Sequence, residues 1–132
     1  HQFGALRLID DTYNASPEAV CAAIDWLATQ AGTRLVILGH LAELGADAEA
    51  EMEAIGRYAK DAGIERLVAV GKAEPIAHGF GASADYVSDL EALEVDLAAR
   101  IEGVDVALVK GSRSAHMERV IDQVKRIQGE ND

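Results

Sequence analysis

Arg34-Leu35-Val36-Ile37-Leu38-Gly39 places four apolar residues in succession between an arginine and a glycine. A strand with one wet face alternates polar and apolar residues, whereas a strand covered on both faces has no reason to alternate. This run therefore predicts a central strand of a parallel sheet with helices on both sides. Similar runs recur on either flank. Leu6-Arg7-Leu8-Ile9-Asp10-Asp11 precedes it, and Arg66-Leu67-Val68-Ala69-Val70-Gly71, Ala84-Asp85-Tyr86-Val87 and Asp105-Val106-Ala107-Leu108-Val109-Lys110-Gly111 follow.

Helical patterns separate these runs. Ser16-Pro17-Glu18 reads as an N-cap, a first-turn proline and an early acid, followed by Val20, Ala23, Ile24 and Leu27 at helical spacing and a stop at Ala31-Gly32. Asp47 is placed to cap a second helix with Met52, Ile55 and Ala59 inward and Glu49, Glu51 and Glu53 in water, ending at Gly63. A short helix is expected over 74–78. Ser88 is expected to cap a helix with the stripe Leu90, Leu93 and Leu97, and Ser112 one with Met117, Val120, Ile121, Val124 and Ile127. Strand and helix thus alternate five times without a linker or repeat. The expected fold is α/β: one doubly wound, Rossmann-like domain over 1–132, with a mostly parallel sheet and helices on both faces.

Composition narrows the partners. The 132 residues carry 23 acidic and 12 basic side chains, a net charge of −11, which disfavours nucleic acid because phosphates would be repelled. The scaling of surface with mass predicts roughly 6,700 Å² exposed in the folded state, with about two-thirds of the unfolded surface buried. A lone cysteine, Cys21, excludes an intramolecular disulfide and fits a reducing, cytoplasmic compartment. It falls within a helix and reads as inert packing. No apolar run is long enough for membrane insertion. The chain starts at His1 and enters a strand within a few residues, which suggests a fragment of a longer protein.

In an open parallel sheet, ligands sit beyond the carboxyl ends of the strands. Four loops bring chemistry to that rim: Asp10-Asp11 leading to Tyr13-Asn14, Gly39-His40, Gly71-Lys72, and Lys110-Gly111-Ser112-Arg113. The last has a glycine that lets backbone approach a ligand, a hydroxyl and two cations. It reads either as an anion or carboxylate site or as a balance for the acidic rim. Tyr13 and Asn14 are ordinary turn residues, although the tyrosine ring offers a stacking face. His40 reads as a solvated loop histidine.

Sharper motifs are missing. Gly71-Lys72 is followed by Ala73 and lacks the upstream glycine of a P-loop, so autonomous ATP chemistry of that kind is unsupported. Gly79-Phe80-Gly81-Ala82-Ser83-Ala84 fits a dinucleotide fingerprint formally but precedes a strand instead of following one. The histidines at 1, 40, 78 and 116 have no metal-site spacing.

Three segments in order, Asp10-Asp11-Thr12-Tyr13-Asn14-Ala15-Ser16-Pro17, Leu38-Gly39-His40-Leu41-Ala42-Glu43-Leu44-Gly45 and 109–118 around Lys110-Gly111-Ser112-Arg113, closely resemble the C-terminal domain of the Mur ligases, of the MurF type. The resemblance covers nearly the whole chain. It implies the last domain of a three-domain, ATP-dependent amide ligase of bacterial peptidoglycan synthesis. The other two domains, N-terminal and central, would be partners within the same chain and would hold the UDP-MurNAc-tripeptide, the P-loop and Mg2+. By the same resemblance Asp11 would hold the ATP ribose, with Tyr13 and Asn14 lining the nucleotide side. Lys110, Ser112 and Arg113 would receive the incoming D-Ala-D-Ala. Catalytic residues are not expected within this domain alone, and the isolated domain is expected to be inactive.

The sequence departs from the family at two positions, with Ser16 where asparagine is usual and His40 where aspartate is usual. An amide's paired donor and acceptor contacts are lost at the first, and an anionic contact at the second. Two rivals share the architecture. A receiver-like signalling domain needs a phosphoacceptor aspartate after the third strand, where this sequence has Val70-Gly71-Lys72. A standalone module binding a small anion needs only the rim.

Overall fold

The computed structural model describes residues 1–11 and 15–128. The described residues form one six-stranded sheet in the order β1-β2-β6-β3-β4-β5. The strands are β1 (Gln2–Phe3), β2 (Leu6–Asp11), β3 (Arg34–Leu38), β4 (Arg66–Val70), β5 (Asp85–Val87) and β6 (Val106–Lys110), and the helices are α1 (Pro17–Ala28), α2 (Ala48–Asp61), α3 (Glu74–Phe80), α4 (Leu90–Arg100) and α5 (Glu118–Gln128). The sheet is parallel from β2 to β5, and β1 pairs antiparallel with β2. The expected doubly wound, mostly parallel α/β fold is therefore the one observed. The folded chain exposes 6334 Å², close to the value expected from its mass.

The run around Val36 sits where its pattern requires, with β3 between β6 and β4 and its last four residues buried. Side chains of β3 alternate between two cores. Leu35 and Ile37 join one with α4 and α5, and Val36 and Leu38 join the other with α1, α2 and α3. The chain lays down β2, β3, β4 and β5 in one direction across the sheet and then returns to insert β6 between β2 and β3. A right-handed crossover places the connecting helix on opposite faces for opposite directions of travel, which accounts for α4 lying across from α1 to α3.

Several expected boundaries move. β1 is an additional strand, too short to show a pattern, and Gly4 at φ 61° supports the tight reversal into β2. Helix α1 ends at Ala28 with Thr29 as its C-cap, three residues ahead of Gly32. Asp47 occupies the N-cap position of α2 without a side-chain bond, and Glu51 instead reaches back to the Gly45 amide at 3.0 Å. Asp89, not Ser88, caps α4, accepting from the Ala92 amide at 2.8 Å. The helix expected from Ser112 is broken: residues Arg113–Ala115 form a 3-10 turn, His116 adopts φ 54°, and α5 starts at Glu118. The apolar stripe of α5 holds for Val120, Ile121 and Val124, while Ile127 is exposed.

Helices α2 and α3 approach unusually closely. A Cβ on Gly56 would stand 2.0 Å from the Ile76 carbonyl oxygen, and one on Gly79 would stand 1.9 Å from that of Glu53. Only glycine permits this crossing. At the amino end of the sheet, Arg34 ties three elements together. Its Nε and Nη2 donate to Glu65 at 2.9 Å each, and Nη1 donates to the Ala28 carbonyl at 2.7 Å. That clamp holds Glu65 at a pKa of about 2, chiefly through the Arg34 hydrogen bond.

Candidate functional site

The loop after β6 turns toward α5 on one face, while the loops after β2 and β3 turn toward α1 and α2 on the other. Where consecutive loops diverge, a crevice opens over the carboxyl ends of the strands. Lys110 stands at that point, as the last residue of a strand that is buried throughout.

Lys110 is only 1% exposed, and its ammonium donates to Asp11 Oδ2 at 2.6 Å. The strand register sets this contact, because Asp11 of β2 pairs directly with Lys110 of β6. Asp11 is 42% exposed at its side chain, so one carboxylate oxygen neutralises the buried cation while the other has no hydrogen bond among the described residues. The arrangement is chemically specific. A charge-assisted bond fixes the carboxylate, and an anionic acceptor is presented at the rim. The two residues assigned by resemblance to different ligands are partners of each other.

The backbone continues the connection. Gly39 N–H donates to the Lys110 carbonyl at 3.0 Å, and Ser112 N–H donates to the His40 carbonyl at 2.8 Å. The ends of β2, β3 and β6 are thereby tied into one unit. Ser112 is buried, and its hydroxyl lies 3.0 Å from that of Ser114. It opens a 3-10 turn and not the α-helix expected, so no α-helix N-terminus stands behind Ser112. Arg113 is exposed in that turn. Met117 packs beneath both loops: a Cβ at Gly39 or at Gly111 would meet its side chain at 2.6 Å.

Ser16 performs the capping expected of it, its hydroxyl accepting from the Ala19 amide at 3.2 Å. His40 is not the solvated loop histidine expected: it is partly buried, and its Nδ1 is enclosed without a hydrogen-bond partner. Tyr13 and Asn14 lie outside the described residues. Cys21 packs against the core as expected, and burial, then Asp25, pushes its thiol pKa up, which keeps it protonated.

The rim also contains a hollow of about 280 Å³, lined by His40, Lys72, Ser88, Asp89, Ser114 and Met117 among others. Of these, Ser88, Asp89 and Ser114 were not singled out as functional from the sequence. Their position after β5 and in the 3-10 turn was the available signal. A larger hollow of about 470 Å³ lies at the opposite, amino end of the strands. Its charges are already engaged, Arg100 with Asp85 at 2.9 Å and Arg66 with the Glu102 carbonyl at 2.9 Å. The rim is the better candidate because it combines the loop divergence with a presented carboxylate.

A mostly parallel sheet covered by helices on both faces, with an anchored carboxylate, a hydroxyl and cations at its carboxyl edge, defines a Rossmann-like α/β domain. The chain belongs to the Mur ligase, glutamate ligase domain family, whose family model matches residues 1–113. It is 40% identical over 116 residues to UDP-N-acetylmuramoyl-tripeptide–D-alanyl-D-alanine ligase of Escherichia coli K12, a match covering 86% of this chain and 26% of that enzyme. It is 36% identical to the enzyme of the same name from Mycobacterium bovis, covering 89% of this chain and 28% of that one. Among solved structures it is similar to MurF of Acinetobacter baumannii, with a TM-score of 0.86, 28% identity, and coverage of 96% of this chain and 29% of that one. It is also similar to MurF ligase of Thermotoga maritima in complex with ADP, with a TM-score of 0.79, 29% identity and the same coverages. The chain thus spans little more than a quarter of the length of these relatives.

Proposed function

We propose that this chain is the C-terminal, closing domain of an ATP-dependent ligase that adds D-alanyl-D-alanine to UDP-MurNAc-tripeptide in the cytoplasm. The observation that carries the reading is the Asp11–Lys110 pair at the rim, in a chain whose relatives bear that activity in their names. Asp11 offers an anchored anionic acceptor suited to the ribose hydroxyls of ATP, with Tyr13 and Asn14 beside it in sequence. Ser112 and Arg113 lie on the acceptor side, and Lys110 serves the carboxylate of Asp11.

In the reaction the tripeptide carboxylate would be activated by ATP as an acyl phosphate and attacked by the dipeptide amine. This domain contributes orientation: it brings nucleotide and acceptor loops onto one rigid edge and closes over the other domains, excluding water. We assign Mg2+ to the central domain, as the family resemblance implies; among the described residues no three His, Cys, Asp or Glu side chains converge. The receiver reading finds no support at β4, whose strand ends at Val70.

Phosphate release is the test. The full-length chain should release phosphate only when ATP, UDP-MurNAc-tripeptide and D-Ala-D-Ala are all present, and residues 1–132 alone should release none. Turnover by the isolated domain, or full-length turnover indifferent to the dipeptide, would refute the proposal.

A further inference from the structure

Alternation along the strands decides what faces α4 at the amino end of the sheet. Leu35 of β3, Val68 of β4 and Val87 of β5 belong to the core beneath α4 and α5. Arg66 and Asp85 precede Val68 and Val87 by two residues and therefore project to the same side. Helix α4 runs back from the carboxyl edge and brings Asp96, Ala99 and Arg100 over them. The hollow of about 470 Å³ lies between these two layers. That volume is within the about 300–1,000 Å³ usual for small-molecule sites.

The lining combines an apolar floor with charges of both signs. Leu35 and Val68 are buried at its base. Arg100 stands between two carboxylates, with Nη1 2.9 Å from Asp85 Oδ2 and Nη2 3.7 Å from Asp96 Oδ2. Its Nε is enclosed without a hydrogen-bond partner, so the two carboxylates alone fix this guanidinium. Asp85 and Asp96 are themselves exposed, and their other oxygens make no hydrogen bond among the described residues. Arg66 differs from Arg100. Its Nη1 donates to the Glu102 carbonyl at 2.9 Å, which orients the guanidinium without neutralising it. Among the described residues Arg66 makes no ion pair, and its Nε and Nη2 make no hydrogen bond.

Two guanidiniums and two carboxylates around one floor carry no net charge. A polyanion would meet Asp85 and Asp96 in a chain of net charge −11, and a simple cation would meet Arg66. A zwitterion uses both signs. We propose that this hollow binds a small aliphatic α-amino acid. Its carboxylate pairs with Nε and Nη2 of Arg66, whose planar fork matches a carboxylate with two parallel bonds. Its ammonium, a donor only, bridges the unused oxygens of Asp85 and Asp96. Its side chain lies over Leu35 and Val68. All these groups belong to this chain and lie at the end of the sheet opposite the rim, so the inference is independent of the ligase reading.

Calorimetric titration of the full-length chain with L-leucine, 4-methylpentanoate and L-leucinamide tests it, since the last two each lack one charge of the first. Leucine should bind one site with a Kd below about 1 mM, and each analogue should bind about tenfold more weakly or worse. Arg66→Gln should weaken leucine about tenfold and leave leucinamide unchanged, because leucinamide has no carboxylate to lose a partner. Asp96→Asn should weaken leucine by a similar factor and leave 4-methylpentanoate unchanged. A general loosening of the fold would not follow that crossed pattern. Asp96 is exposed, so its amide variant keeps the test decisive even if Arg66→Gln disturbs the turn at Glu102. The site assignment is overturned if leucine shows no saturable binding up to about 10 mM, if the analogues bind as well as leucine, or if Asp96→Asn keeps the wild-type affinity. None of these results bears on phosphate release, which tests the ligase reading separately.

Discussion

Replacing Asp11 with alanine removes the only partner, among the described residues, of the ammonium of a lysine that is 1% exposed. Removing one member of a fully buried ion pair costs about 3–5 kcal/mol, because the remaining charge is left uncompensated. Asp11 is 42% exposed, so water entering the vacated space recovers part of that cost, and we expect about 2–3 kcal/mol. At roughly 3–5 °C per kcal/mol for a domain of this size, Tm should fall by about 10 °C. Lys110→Met removes the cation and keeps the length of the side chain, leaving Asp11 to solvent, and should cost only about 1 kcal/mol. The double variant should then be no more than about 1 kcal/mol below Lys110→Met, which gives a large positive coupling in a double-mutant cycle. Urea denaturation followed by circular dichroism measures all three. The reasoning is refuted if Asp11→Ala costs under about 1 kcal/mol, or if Lys110→Met costs as much as Asp11→Ala. The same set separates stability from function: the double variant should be folded yet have a raised KM for ATP in the full-length chain.

Glu65 is depressed from 4.5 to about 2 by Arg34, so it stabilises the fold above its ordinary pKa, and that contribution is lost as pH falls from about 4.5 toward 2. With 42% of the Glu65 side chain exposed, solvent screening limits the effect to about 1 kcal/mol. Glu65→Gln should be less stable by that amount above pH 5 and converge with wild type toward pH 2, as read by urea midpoints. Gly56→Ala should cost about 3 kcal/mol, because its methyl cannot coexist with the Ile76 carbonyl and the flexible end of no side chain can yield; thermal melting measures this. Ser16→Ala should cost about 1 kcal/mol through the lost bond to the Ala19 amide, and Ser16→Asn should restore most of it.

The parallel sheet was legible because burial on both faces leaves a one-dimensional mark, the uninterrupted apolar runs of β3, β4 and β6. The stripes of α1, α2 and α4 were legible for the same reason, since helical spacing records which side is dry. Short-range signals misled where tertiary contacts decide. Ser112 has the chemistry of an N-cap, yet its hydroxyl meets Ser114, and the chain turns through His116 before α5 begins, which sets Met117 under Gly39 and Gly111. Ser88 likewise has the chemistry of an N-cap, yet the next residue, Asp89, takes that role, its carboxylate accepting from the Ala92 amide. The rim was legible as the place where polar loops gather, but its internal pairing was not. Asp11 and Lys110 stand 99 residues apart, and their contact depends on β6 being inserted next to β2, which no local pattern encodes.

That insertion gives the strand order a functional consequence. Had the last strand been added at the sheet edge beside β5, Lys110 would lie far from Asp11, and the loops after β2 and β6 could not share a carboxylate and a cation. Returning across the sheet brings the last rim loop next to the first. It also lets the Lys110 carbonyl accept from Gly39 and the His40 carbonyl accept from Ser112. Three loops distant in sequence are then fixed by one strand end, with one charge-assisted bond and two backbone bonds. Under the proposed function, a domain that brings nucleotide and acceptor loops together needs this rigidity, since orientation contributes only when the positioning groups do not move relative to one another. The net charge of −11 is compatible with that proposed role because the cation that fixes Asp11 is local and buried.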